Sequence, residues 1–238
     1  MLTLYTFQGA HGLYDVSPFV TKAATWLRMA GIEFTAKPGN PRQAPKGKIP
    51  YIDHDGTILG DSSLIIEHCR EAFKVDLDEG LTARDKALAR AAQSMLEEHM
   101  YFNALVLRWG DPRGWAVMKP FVMELAGTLG VPGFLRGLVA EQIRKGPLKN
   151  AWFQGAGRHA YPEVEHTACA IADAVSELLG DNQYFLGERP RTIDATVWAF
   201  VNTVRVFPID NSVRARIAGH KNLVDYCARM EERFGPKR

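Results

Sequence analysis

Strand-like segments occupy only the first quarter of this chain, and every periodic segment beyond residue 80 has helical spacing. A chain divided in this way can build one small α/β unit and one larger all-helical unit. Residues 2–7 and 33–37 read as strands, and the helix over 18–30 between them is closed by Gly31. Such a βαβ unit implies a parallel strand pair, since the chain must cross over before it returns. Residues 38–50 then hold Pro38, Pro41, Pro45 and Pro50 with Gly39 and Gly47, a density that excludes regular structure and predicts a shaped loop. Residues 51–53 and 57–59 read as a hairpin about His54-Asp55-Gly56, in which Asp-Gly is the turn signal. Asp61-Ser62-Ser63 opens a helix that runs to Phe73 and completes a first unit over residues 1–76.

A polar, acidic stretch over 74–80 separates this unit from a second over 82–238. Thr82-Ala83-Arg84-Asp85 resembles a capping box, with Asp in place of the usual Glu. Leu88, Ala91, Met95, Phe102, Leu105, Val106 and Trp109 follow at near-helical spacing and predict one long helix. Further helices are expected from about residues 114, 132, 162, 192 and 220. At 238 residues and 46% hydrophobic, the chain has enough apolar material for one large core or two smaller ones. Its 29 basic against 27 acidic residues leave +2, spread rather than massed, which argues against a nucleic-acid partner. The basic stretches 189–191 and 214–221 are expected to be solvated faces. Cys69, Cys169 and Cys227 are odd in number and far apart, so a disulfide framework is not expected and a reducing compartment is. The first residues lack the basic start of a signal peptide, and no apolar run is long enough to span a membrane. A cytoplasmic protein is the expectation.

Three places carry potential chemistry. Ser17-Pro18-Phe19-Val20 stands at a helix start, where Ser is a favoured cap and Pro a favoured first residue. That position also sets a hydroxyl among unpaired N–H groups at the positive end of the helix dipole, a setting that suits a thiolate. Ile49-Pro50 precedes a short strand; with a cis bond, the N–H and C=O of Ile49 would be free to pair with an extended peptide. Asp61-Ser62 caps a helix, and it also offers a carboxylate to an ammonium group and a hydroxyl with N–H groups to a carboxylate. That combination matches a zwitterionic amino-acid end. Gly155-Ala156-Gly157-Arg158-His159-Ala160 fits a dinucleotide fingerprint by letter, but no strand precedes it. Neither Glu97-Glu98-His99 nor Glu163-Val164-Glu165-His166 has metal-ligand spacing, and no metal is expected.

Taken together, the strand, Ser-Pro helix, strand, Pro-rich loop, Lys48-Ile49-Pro50, hairpin and Asp61-Ser62 helix resemble the thioredoxin-like domain of glutathione transferases. Ile49-Pro50, Asp61-Ser62 and Leu64-Ile65 stand where that family has Val-Pro, Glu-Ser and Ala-Ile. Tyr184-Phe185-Leu186-Gly187 with Thr192-Ile193-Asp194-Ala195 is similar to its later loop and buried helix cap, and residues 223–229 to its terminal helix. Ser17-Pro18-Phe19-Val20 is similar to the Cys-Pro-Phe-Ala of omega-type members, and residues 27–32 to the failed-axon-connections and metaxin-like branch. The resemblance implies a thioredoxin-like α/β unit followed by an all-α one. It further implies glutathione as co-substrate, with Ser17 at the sulfur, Ile49 and Pro50 at the cysteinyl backbone, Asp61 and Ser62 at the γ-glutamyl end, and Lys48 at the glycyl carboxylate. Tyr14, in the loop before the helix, is a second candidate to cover the thiol, whereas Tyr5 reads as strand packing. By position in the family, Phe102, Trp109 and Trp115 would line the pocket for a small apolar electrophile, and a homodimer is implied. Two features depart from the pattern. Ser replaces Cys at position 17, which removes the thiol that disulfide exchange requires. Arg191 stands where the buried helix cap usually has Ser or Thr, with Thr192 one residue later. The activity implied is a glutathione transferase; the alternative is a non-catalytic binding or targeting module of the same fold.

Overall fold

The structure, a computed structural model, describes residues 1–236. Strand β1 (Leu2–Thr6) pairs in parallel with β2 (Thr35–Pro38) across helix α1 (Pro18–Met29), and antiparallel with β3 (Tyr51–His54). β4 (Thr57–Gly60) returns on β3 by the Asp55-Gly56 turn, giving the sheet order β2-β1-β3-β4. The second strand begins two residues later than its composition suggests, because register with β1 sets Thr3 opposite Thr35 and Thr6 opposite Pro38. Pro38 is tolerated there since β2 is an edge strand and its N–H is not needed by a neighbour.

Strand alternation sends Leu2, Leu4 and Ile52 to one face of the sheet, where they pack on Ala23, Trp26 and Leu27 of α1 and on Ile65, Ile66 and Cys69 of α2 (Ser62–Phe73). On the other face Tyr5 stacks on Tyr51, with ring centroids 4.2 Å apart. The proline-rich loop tucks Ala44 and Ile49 against the same side.

The helical unit opens at α3 (Ala83–Ser94), whose cap is reciprocal: Thr82 Oγ1 accepts from the Asp85 N–H and the Asp85 carboxylate accepts from the Thr82 N–H. The chain remains helical to Gly110, but it widens twice into π turns, over Met95–Met100 and Val106–Gly110, either side of α4 (Tyr101–Leu105). Each i→i+5 turn takes up extra residues, so a uniform 3.6-residue period loses phase along the rod. The buried positions include Ala92, Leu96 and Met100 with the expected Leu105 and Val106, while Ala91 is exposed and Leu88 and Met95 are only half-buried. There follow α5 (Pro112–Thr128), α6 (Arg136–Gln154), α7 (Tyr161–Leu179), α8 (Thr192–Val206), α9 (Ser212–Gly219) and α10 (Lys221–Phe234). α5 can turn back on the rod because residue 114 is glycine: a Cβ there would lie 1.9 Å from the Leu107 carbonyl oxygen. Gly155 to Arg158 follows helix α6, not a strand. Cys69, Cys169 and Cys227 are all buried and unpaired, and no helix among the described residues is long and apolar enough to cross a membrane.

α8 joins the two units. It is buried continuously from Ile193 to Thr203 and packs along α1, where Phe19 meets Phe200 edge-on at 5.2 Å. Asp194, fully buried, accepts from the N–H groups of Phe185 at 2.8 Å and Arg191 at 2.7 Å, and from the Tyr226 hydroxyl at 3.0 Å. The helix starts at the register the Asp194 pattern implies, without a capping hydroxyl: Arg191 offers only its carbonyl to the Asp194 N–H. Thr192 Oγ1 instead accepts from the Trp26 indole of α1 at 3.2 Å, and the Arg191 guanidinium donates to the carbonyls of Leu77 and Glu79. The start of α8 is thus fastened to α1 and to the connector between the units.

Asp194→Ala should cost about 3 kcal/mol or more in urea unfolding, because two buried N–H groups lose their acceptor, whereas Tyr226→Phe should cost about 1 kcal/mol.

Candidate functional site

The first turn of α1 is shaped by the residue two before its cap. Asp15, 1% exposed, accepts the Ser17 N–H at 2.8 Å, and its carboxyl is pushed up to about 7 by burial, opposed by the bonds from the Ser17 and Phe7 backbones. Ser17 is half-buried with an extended backbone, and its hydroxyl makes no capping bond. A hydroxyl in this place commonly caps the helix; here it does not.

The Ile49–Pro50 peptide is cis, and Pro50 O accepts the Asp61 N–H at 3.4 Å. Asp61 sits at φ 90°, a region L-residues avoid at a cost of about 1–3 kcal/mol unless their surroundings demand it. From there its Oδ1 caps α2 by accepting from the N–H groups of Ser63 at 2.9 Å and Leu64 at 3.3 Å, while Oδ2 has no partner among the described residues. Ser62 is buried directly behind it. Val20, one turn past Ser17, packs with Ile49 and Tyr51, so the start of α1 and the Ile49-Pro50 segment share one cluster. Lys48 is exposed beside them. Tyr14 packs against that cluster too, but the Arg28 guanidinium lies 4.5 Å over its ring, and burial raises its phenol pKa against Arg28's opposing effect.

A charged network that sequence spacing did not reveal lies behind Asp61 and Ser62. Lys22 of α1 is 1% exposed and donates to Glu97 at 2.6 Å and to Ser63 Oγ at 2.8 Å; Gln93 donates to the same two groups. Burial lowers the Lys22 pKa, and Glu97, with some help from Asp61, opposes the shift. The one sequence signal was a lysine inside the otherwise uncharged run from Val20 to Leu27, a position where a charge needs a partner.

Of the aromatic residues assigned by position to a co-substrate pocket, Trp109 and Trp115 share one apolar cluster with Leu13, Val16 and Phe207, close to the chain just before Ser17. Trp115 is buried and stacks on Trp109 at 5.9 Å; its indole donates to Glu141 at 3.0 Å, and Arg144 covers its ring. Phe102 packs against the helical core beside Tyr101. None of the three lines the hollow next to α1. That hollow is a pair of small cavities of about 20 Å³ each, sharing Met100, Ala104, Arg108 and Val204; one of them reaches Pro18. Tyr101, Ala104 and Arg108, rather than Phe102 and Trp109, line these cavities.

Residues 18–114 match the family described as glutathione S-transferase N-terminal domain, and residues 168–230 the family described as glutathione S-transferase, C-terminal domain. The chain is 34% identical over 240 residues to an isoprene-epoxide–glutathione S-transferase of Rhodococcus sp. (strain AD45), a match covering 98% of this chain and 99% of that protein. It is 26% identical to Failed axon connections of Drosophila melanogaster, over 99% of this chain and 58% of that protein. With metaxin-1 of Mus musculus the identity is 24%, over 99% and 76%. Among solved structures it is similar to a beta-etherase from Sphingobium sp. strain SYK-6, with a TM-score of 0.63 and 16% identity over 98% of this chain and 95% of that one. Glutathione transferase F7 from Populus trichocarpa gives 0.60 at 12% identity, over 98% and 94%. At such identities the structural likeness speaks for the fold alone.

Glu97→Gln should cost about 3–5 kcal/mol, since it strands the Lys22 ammonium, and the pair Lys22→Met with Glu97→Leu should regain most of that loss in a double-mutant cycle. Asp15 gives a pH signature. Its folded pKa lies above the unfolded value near 3.8, so the folded chain holds the extra proton. Stability is then greatest below the unfolded value and falls as pH rises toward about 7, by at most about 4 kcal/mol. Denaturant midpoints at pH 5 and pH 8 should accordingly favour Asp15→Asn over the parent more at the higher pH.

Proposed function

This chain belongs to the glutathione S-transferase family, and we propose that it is a working member, which holds the glutathione thiolate at Ser17 for attack on a small apolar electrophile. The observation that carries this is the uncapped Ser17 hydroxyl at the first turn of a twelve-residue helix, beside the Ile49-Pro50 and Asp61-Ser62 segments. A hydroxyl donating to sulfur, together with the positive end of the helix dipole, favours the thiolate and lowers the thiol pKa from about 8.5. Ile49 N–H and C=O would pair with the cysteinyl backbone. Asp61 Oδ2 would receive the γ-glutamyl ammonium, the Ser62 hydroxyl and N–H its carboxylate, and Lys48 the glycyl carboxylate. With serine at position 17, no protein thiol stands there for disulfide exchange, so the chemistry is addition or displacement at the electrophile. A small epoxide is the first electrophile to try, since a relative 34% identical is named for one. A cytoplasmic location and a homodimer belong to the same proposal.

A second reading, a binding or targeting module without turnover, draws on the likeness to Failed axon connections and metaxin-1 and on the small volume of the two cavities. Calorimetry at millimolar glutathione separates the two: the transferase binds, and a module that has lost the ligand does not.

Ultraviolet titration of enzyme-bound glutathione should show a thiol pKa below the free value of about 8.5, and Ser17→Ala should remove most of that shift. A titration curve unmoved by the substitution would take the thiolate away from Ser17.

A further inference from the structure

Among the described residues, Arg108 is the one charged side chain on the walls of the hollow beside α1, and no counter-ion stands against it. It is 8% exposed and lines both cavities. Among the described residues no carboxylate lies within salt-bridge distance of it, and its single hydrogen bond runs from Nη1 to the Val16 carbonyl at 2.9 Å. The guanidinium stacks over Phe207 at 4.3 Å. A guanidinium carries five N–H donors, so most of them have no protein acceptor here. Burial lowers its pKa to about 10, with the Tyr101 phenol opposing, so it remains charged at neutral pH. Burying an unpaired cation costs several kcal/mol. Lys22, buried to a similar extent, has Glu97 against it, whereas Arg108 meets only a carbonyl. The other walls, Pro18, Met100, Tyr101, Ala104, Leu105, Phe200, Thr203 and Val204, carry no charge.

We propose that Arg108 is the oxygen-binding residue of the co-substrate pocket and selects electrophiles whose attack by the thiolate places negative charge on oxygen, epoxides foremost. The assignment rests on the transferase function proposed above. Glutathione loses its thiol proton to solvent; the thiolate sulfur bonds to one ring carbon as that carbon's bond to oxygen breaks. The electron pair stays on oxygen, where the guanidinium N–H groups meet it, and the alkoxide then takes a proton from water. The product is a hydroxyalkyl thioether; no other reactant is consumed and nothing else leaves. The geometry suits this division of work, because the cavity that Arg108 lines also touches Pro18, the residue after Ser17. A positive charge fixed in an apolar wall acts on a developing oxyanion more strongly than it would in water. Each cavity is large enough for an oxygen-bearing group the size of one water or little more.

The test uses two preformed products and the full chain. Calorimetry should show the hydroxypropyl thioether of glutathione binding at least about tenfold more tightly than the propyl thioether, the preference expected of a hydrogen bond to a charged donor. In Arg108→Met the ratio of the two affinities should fall to about one. Because the ratio is taken within one protein, any general loosening caused by freeing Val16 cancels. Equal binding of the two thioethers by the parent chain overturns the role of Arg108 while leaving the glutathione site standing. A preference that survives Arg108→Met overturns it as well. If neither thioether nor glutathione itself binds, the transferase proposal fails and the Arg108 assignment fails with it.

Discussion

Helix α1 has almost no solvent face. Pro18 and the run from Val20 to Leu27 are all buried, one side against the sheet and the other against α8. Val20 and Leu27 each contribute about 2 kcal/mol by leaving water. The same enclosure imposes a cost wherever α1 carries a polar group. Lys22 is the clearest case: desolvation opposes its charge, and Glu97 and Ser63 accept from it to offset that, both held in turn by the Gln93 amide. The two units therefore cannot shift against each other along α1 without exposing apolar surface and breaking an ion pair in a poorly hydrated place.

The same helix sets up the chemistry. Its N-terminus supplies the dipole and Ser17, its Val20 side packs on Ile49, and its Lys22 stands behind Asp61 and Ser62. Asp15 and Arg108, both buried, meet the chain at Val16 and Ser17 with opposite tendencies: a carboxyl whose burial favours the neutral form, and a guanidinium that stays charged. They are linked through the backbone, since Arg108 holds the Val16 carbonyl between Asp15 and Ser17. In the proposed reaction, that arrangement would keep negative charge near the thiol low and hold a positive charge for the electrophile's oxygen.

Several features were legible in the sequence because they depend on neighbours along the chain. The Asp55-Gly56 turn, the Thr82–Asp85 cap and the closing glycine at 31 are local, and each has the conformation its residues imply. The Ile49-Pro50 and Asp61-Ser62 pairs were recognisable through a pattern spread over the whole first unit. The long helix was recognisable as a helix, and Leu105 and Val106 are buried as its spacing implies, but Ala91 is exposed, and two π turns keep one uniform period from describing the whole rod. Trp109 and Trp115 stack on each other, with Arg144 over the Trp115 ring, and pack with Leu13 and Val16 of the first unit, a meeting that no sequence spacing shows.

The sequence by itself determined the division into an α/β unit and a helical unit and the strand and helix segments, and through its family resemblance it named the candidate residues for a glutathione-like peptide. Only the tertiary structure decided which charges surround Ser17. Lys22 finds Glu97 across 75 residues and Arg108 finds Val16 across 92, separations over which no local spacing carries information. Whether a charge is paired or left open depends on what burial brings beside it, and that is settled only when the sheet, α1 and α8 close together.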